Sequence, residues 1–200
     1  MRTLPKTTFS LILLCVFLTV CNGETTAAKA LQHNEQGIRT LDTDPEKALY
    51  QFLKAAELDP KVPDYIANAG IALMTLNRNE EALQKFKEVI SIDPEYAQAY
   101  YNLGVLLSAK GQNSEAIRNY EIALRLNPNM PEIVYNLALA YENSGNNKLA
   151  AANYANFLKI APKNRQSAIQ EAKNRLTKLQ GPKTKGEKTA RPERKRKKRG

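Results

Sequence analysis

The chain has 200 residues, 42 % of them hydrophobic and 25 % charged, which is enough for one packed domain plus tails. Its net charge of +10 is unevenly placed: residues 181–200 hold ten Lys/Arg against two Glu, and the first twenty hold Arg2 and Lys6. The stretch between is balanced, so the basic pI belongs to the ends, chiefly the tail, and not to the folded part taken as a whole.

The apolar run from Phe9 to Val20 follows Arg2 and Lys6 directly. Its twelve residues would span about 18 Å as a helix, well short of the ~30 Å of a bilayer core. A charged start, a short apolar run and small residues behind it predict a secretory signal peptide over residues 1–23. Two cuts compete. "LTVC" resembles a bacterial lipobox with Cys21 as the lipidated residue, although Val20 stands where that pattern has Gly, Ala or Ser; "CNG" offers a cut after Gly23. Either cut removes Cys15, so no disulfide forms within the mature chain.

From residue 29 onward the chain repeats itself. Pro60, Pro94, Pro128 and Pro162 stand 34 residues apart, and so do Ala48, Ala82, Ala116 and Ala150. Phe52, Phe86, Tyr120 and Tyr154 form a third column at this period, and Asn34, Asn68, Asn102 and Asn136 a fourth. Within one unit Tyr100, Leu103, Gly104 and Leu107 recur at helical spacing, and "AKGQN" interrupts them at Gly111. Ala116, Tyr120, Ala123 and Leu124 make a second apolar stripe, which Asn127–Pro128 stops. Each unit is therefore two antiparallel helices, with Gly104 and Ala116 small where the helices approach. One such hairpin cannot bury its own apolar face, so the units must stack.

Period, column order and helical pattern resemble the tetratricopeptide repeat family. The resemblance implies an all-α solenoid of helical hairpins with four repeats, 29–62, 63–96, 97–130 and 131–164. The first repeat reads as a polar, imperfect cap, with its turn "LDTDPEK" shifted by a residue or two. Ala168, Ala172, Leu176 and Leu179 share a face of a closing helix over residues 165–180. Residues 181–200 are low in apolar side chains and dense in charge, so a disordered basic tail is expected there.

Family members hold extended peptides or partner helices on a concave face lined by the first helix of each unit. The resemblance turns Asn68, Asn102 and Asn136 into that groove. Such a row is similar to the asparagine ladder of O-linked N-acetylglucosamine transferases, where amides hydrogen-bond a ligand backbone. Asn34 would extend it. Ala67 with Ile71, Tyr101 with Val105, and Tyr135 with Leu139 lie one turn apart beside the amides, an apolar and aromatic floor. The carboxylate clamp of heat-shock co-chaperones needs cations in the groove, whereas Asp64, Gln98 and Glu132 occupy the corresponding positions, so that ligand is not expected.

Catalysis finds no support. The single histidine, His33, sits in the irregular first unit, no Cys/His cluster has metal spacing, and no cofactor is expected. The expectation is an exported, non-enzymatic adaptor that takes a protein or peptide segment in its groove. Its compartment would be the periplasm or cell envelope, as a lipoprotein anchored through Cys21 or as a secreted protein. Bacterial envelope lipoproteins that look like this serve as assembly factors. Self-association through the convex face or the ends, with no peptide ligand, is a further option. The run Arg194, Lys195, Arg196, Lys197, Lys198, Arg199 would hold an anionic membrane surface or envelope polymer, at about 1 kcal/mol per basic side chain. The alternative reading is a polyanion or nucleic-acid binder that acts through this tail.

Overall fold

The computed structural model describes residues 25–181, so the expected signal peptide, Cys21 and the basic run 194–199 lie outside the described residues. Among the described residues there are nine helices and no strand: α1 Thr26–Thr40, α2 Pro45–Leu58, α3 Pro63–Thr75, α4 Asn79–Ile92, α5 Ala97–Ala109, α6 Asn113–Leu126, α7 Pro131–Asn143, α8 Asn147–Ile160 and α9 Gln166–Gln180. They fall into two compact units divided after Pro128: three hairpins, α1–α6, in the first, and one hairpin plus α9 in the second.

The period is written into the helix ends. α2, α4, α6 and α8 stop at Leu58, Ile92, Leu126 and Ile160, each two residues before its proline. The residue before a proline is pushed out of the helical region, and the proline has no N–H to continue the ladder. The turns inside hairpins two to four share one geometry. Asn77, Gly111 and Gly145 take left-handed φ of 58°, 74° and 79°. The next residue's N–H then folds back onto the preceding helix, as in Arg78 N to Leu73 O (2.9 Å), Gln112 N to Leu107 O (2.9 Å) and Asn146 N to Tyr141 O (2.8 Å). The first hairpin is built differently. Asp44 Oδ1 accepts the Lys47 N–H at 3.0 Å, and Pro45 opens α2, a side-chain cap in place of a left-handed turn.

The core of every hairpin is one aromatic ring against one small residue. Phe52, Phe86, Tyr120 and Tyr154 are all buried, as are Ala48, Ala82, Ala116 and Ala150. A Cβ added at Gly37 would stand 2.5 Å from the Phe52 ring, at Gly70 2.8 Å from Phe86, and at Gly104 2.5 Å from Tyr120. The glycine is thus small because the ring of its own hairpin rests on the backbone there. In the fourth hairpin Ala138 takes this place, buried, with Tyr154.

These contacts correct the register of the first unit. Glycine and ring are sixteen residues apart in hairpins two and three but fifteen in the first, Gly37 to Phe52. α1 ends at Thr40, only three residues past its glycine, while α3 and α5 run five past theirs. The shifted turn that "LDTDPEK" suggests is therefore real, and it moves every α1 position by one relative to the strict period.

In the second unit α9 repeats the first-helix pattern, and no second helix follows it among the described residues. Ala172, 34 residues after Ala138, is fully buried, and Ala168, Leu176 and Leu179 are half-buried on the same face. The face expected to close the stack is the face that packs on α8.

Candidate functional site

The first helices of the hairpins carry the expected row of amides, and the structure gives each a specific environment. In the first unit Asn68 Nδ2 donates to Asn34 Oδ1 at 2.8 Å, which ties α3 to α1. Asn34 is buried, and by the glycine register it belongs with Ala67 and Tyr101, three residues before the small residue, not with the asparagines. The residue of α1 in the asparagine row is Glu35. A residue count of 34 brings Asn34 and Asn68 together, but as bonded neighbours from adjacent columns.

Asn102 is 6 % exposed. Its Oδ1 accepts from Gln98 Nε2 at 3.4 Å, and its Nδ2 has no hydrogen-bond partner among the described residues. A buried amide N–H without an acceptor costs about 1–3 kcal/mol, so this amide would gain from any acceptor that a turn of its side chain brought within reach. Tyr101 is half-buried with its ring centroid 6.0 Å from that of Tyr120. Ile71 and Val105 are half-buried beside the amides. Asn68 and Ile71 on α3 and Tyr101, Asn102 and Val105 on α5 all lie within the first unit.

At the same edge the Tyr96 hydroxyl donates to Asp64 Oδ1 at 2.6 Å. Burial, then the Asp64 carboxylate, pushes the Tyr96 hydroxyl well above the ordinary tyrosine range. A neutral O–H satisfies one carboxylate oxygen but leaves the charge of Asp64 uncompensated.

The second unit holds Asn136, Tyr135 and Leu139 on α7, all half-buried. The Tyr135 ring lies 5.9 Å from Tyr154 and 5.0 Å from Phe157. Its hydroxyl bonds Glu171 of α9, and burial together with this bond pushes the Tyr135 hydroxyl up to about 12. Arg175 Nε and Nη2 hold Glu171 Oε1 at 3.0 and 2.9 Å, while Nη1 donates to Glu142 Oε2 at 3.1 Å, which also accepts the Tyr154 hydroxyl at 2.7 Å. The cavity here, about 320 Å³, is lined by Glu142, Glu171, Asn174, Arg175 and Lys178. Its acids and its arginine are consumed by one another, and Glu132 is likewise ion-paired with Arg165. Tyr135 is thus a pillar for α9.

Sequence reasoning missed two residues of the first unit. The glycine register places Leu31 and Ile38 of α1 in the rows of Asp64 and Ile71, and they are 51 % and 56 % exposed. Gly37, the one glycine of α1, is the signal that would have found them. His33 Nδ1 lies 2.6 Å from Gln51 Oε1, a link between α1 and α2. Among the described residues no group of three His, Cys, Asp or Glu could hold a metal, and no helix is long and apolar enough to cross a membrane.

Family profiles described as TPR repeat match residues 70–111 and 106–145, and one described as tetratricopeptide repeat matches residues 131–164. Residues 70–164 are tetratricopeptide repeats. The first hairpin precedes the matched residues, and its Gly37–Phe52 contact marks it as the same kind of hairpin. Among solved structures the chain is similar to MamA (41-end) from Desulfovibrio magneticus RS-1, at 22 % identity over 76 % of this chain and 93 % of that one, TM-score 0.62. It is similar to pilF of Pseudomonas aeruginosa at 22 % identity over 76 % and 73 %, TM-score 0.63. It also resembles the first TPR of Spaghetti (RPAP3), bound to the HSP90 peptide SRMEEVD, at 24 % identity over 60 % and 95 %, TM-score 0.57. These likenesses establish the fold. No curated protein matches the chain in sequence.

Proposed function

We propose that the chain is a non-enzymatic adaptor that binds a protein segment along the first helices of its hairpins, chiefly α3 and α5. The observation that carries this reading is the buried Asn102 amide, whose Nδ2 lacks an acceptor while half-buried Ile71, Val105 and Tyr101 flank it. Once the Asn102 side chain turns towards the segment, a peptide carbonyl would satisfy the donor, and apolar side chains of the segment would cover the floor. The peptide-bound Spaghetti repeat supports the use of this fold for short segments. Its ligand, SRMEEVD, is acidic, whereas Asp64 here repels an acidic chain.

The test is selection of 12-residue peptides displayed on phage against the purified chain, followed by affinity measurement with the Tyr101→Ala/Asn102→Ala double variant. Loss of binding with a retained cooperative helical melt supports the groove. Binding that survives the double variant would move the interaction to another surface and refute the reading.

The same reading places the protein outside the cytoplasm, in the cell envelope, with Cys21 as lipid anchor or with the run 194–199 on an anionic surface. The short apolar run at 9–20 supports it. Intact mass of the protein from its native host tests it: a chain that begins at Cys21 with acyl mass, or at Glu24, agrees, and one that retains Met1 refutes export.

A further inference from the structure

The glycine register makes the charge and apolar pattern of the first unit's binding rows explicit. On α1 these rows hold Leu31, Glu35 and Ile38; on α3, Asp64, Asn68 and Ile71; on α5, Gln98, Asn102 and Val105. No lysine or arginine stands in them. Leu31 and Ile38, two helical turns apart, are each more than half exposed, so the α1 end of the rows is an open apolar surface. Ile71 and Val105 continue that line, half-buried.

The carboxylates beside the line have little or no cationic compensation. Asp64 receives only the neutral Tyr96 hydroxyl and has no ion-pair partner among the described residues. Glu35 lies 3.5 Å from Arg39, with both side chains more than half exposed, a pair that solvent screens strongly. Glu132, at the place of Asp64 in the other unit, is neutralised by Arg165. The contrast extends over the described part of each unit. Residues 25–128 hold eleven Lys/Arg against fourteen Asp/Glu, net −3, and residues 129–181 hold seven against three, net +4.

We infer that the first unit takes a cationic amphipathic segment, with bulky apolar side chains on the Leu31–Ile38–Ile71–Val105 line and lysine or arginine against Glu35 and Asp64. This rests on the adaptor reading and specifies its partner. The apolar line supplies burial, unpaired Asp64 and the weakly paired Glu35 select the sign of the flanking charge, and Asn102 Nδ2, once its side chain turns outward, takes a backbone carbonyl. An acidic segment would bring like charge to both carboxylates, with no cation in the rows to receive it.

Three fluorescein-labelled 12-residue peptides test this. They share leucine and tyrosine anchors and carry lysine, glutamine or glutamate at every other position. Anisotropy titrations use the full-length chain at low salt, where surface charge is least screened. The lysine peptide is expected to bind about fivefold more tightly than the glutamine peptide, and the Glu35→Gln/Asp64→Asn variant to erase that advantage. Leu31→Ser/Ile38→Ser, at exposed positions that a folded chain tolerates, is expected to weaken the lysine peptide by a similar factor.

A lysine advantage that persists in the Glu35→Gln/Asp64→Asn variant, or never appears while the glutamine peptide binds, overturns this inference and leaves the adaptor reading standing. Failure of all three peptides overturns both. Lysine-peptide binding seen only after deletion of residues 182–200 overturns it too, by naming the chain's own basic end as occupant.

Discussion

Hairpins one and two seat a phenylalanine on their small residue, and hairpins three and four seat a tyrosine. The position one turn beyond the small residue changes with the ring. It is Leu41 and Met74 in the phenylalanine hairpins, both packed against the apolar core, and Ser108 and Glu142 in the tyrosine hairpins. Ser108 shares a hydrogen bond with Tyr120, and Glu142 accepts one from Tyr154. The lesson is that one backbone frame admits two cores, provided that the hydroxyl arrives together with its partner. A buried hydroxyl with no partner costs about 1–3 kcal/mol, so the two substitutions are coupled.

The largest effect is expected from removing a ring in either class. Phe86→Ala leaves a ring-sized void over Gly70 and Tyr154→Ala one over Ala138, and each should cost about 3–5 kcal/mol in chemical denaturation. Next comes the hydroxyl with the charged acceptor. Tyr154→Phe removes a bond to a carboxylate and should cost about 1.5–3 kcal/mol. Phe86→Tyr, the mirror change, brings a hydroxyl where Met74 offers only a weak thioether acceptor and should cost about 1–3 kcal/mol. Equal stability of Phe86→Tyr and the parent would break the comparison.

The small residue sharpens it further. Glycine to alanine inside a helix ordinarily stabilises by about 1 kcal/mol. At Gly70 and Gly104 the sign should reverse. A Cβ there meets a ring carbon at 2.8 and 2.5 Å, and overpacking of this kind costs about 1–3 kcal/mol. Ala138→Gly should destabilise as well, by about 1 kcal/mol, because the fourth hairpin already accommodates the methyl group. Thermal melts of the three variants read this directly.

Much of this frame was legible in the sequence, because its columns are enforced by sterics that act locally. Pro60, Pro94, Pro128 and Pro162 end helices wherever they stand, and the buried alanine and ring columns recur without exception. What the strict period concealed was the first hairpin. There Asp44 and Pro45 make a capped turn instead of a left-handed one, and one residue is lost between Gly37 and Phe52. The loss lies in the turn, so the proline and ring columns stay in phase while every α1 residue slips by one. The strict period therefore makes Asn34 a fourth rung and hides Leu31 and Ile38. The amide row itself was legible, but its state was not. Whether Asn68 is bonded and Asn102 lacks an acceptor depends on packing between hairpins, which residue identity at a period of 34 does not encode.

The smallest effect belongs to Tyr120, whose partner is the neutral Ser108. Tyr120→Phe should cost about 0.5–1.5 kcal/mol near neutral pH. Burial, and then the neighbouring Tyr101, holds the Tyr120 hydroxyl far above the ordinary value of 10.0. A group whose value is raised on folding binds its proton more tightly in the folded state. Its contribution is therefore complete below pH 10.0 and is lost as the pH climbs beyond, where the unfolded chain ionises and the folded one resists. Phenylalanine does not titrate. The difference between parent and Tyr120→Phe should therefore shrink above pH 10 and change sign as the pH rises further, while Phe52 and Phe86 carry no such dependence. Urea midpoints of the parent and Tyr120→Phe at neutral pH and above pH 10 decide it. Parallel curves across that range would mean that the ring's hydroxyl is already open to water, and the two classes of hairpin would then differ in composition but not in how they hold their cores.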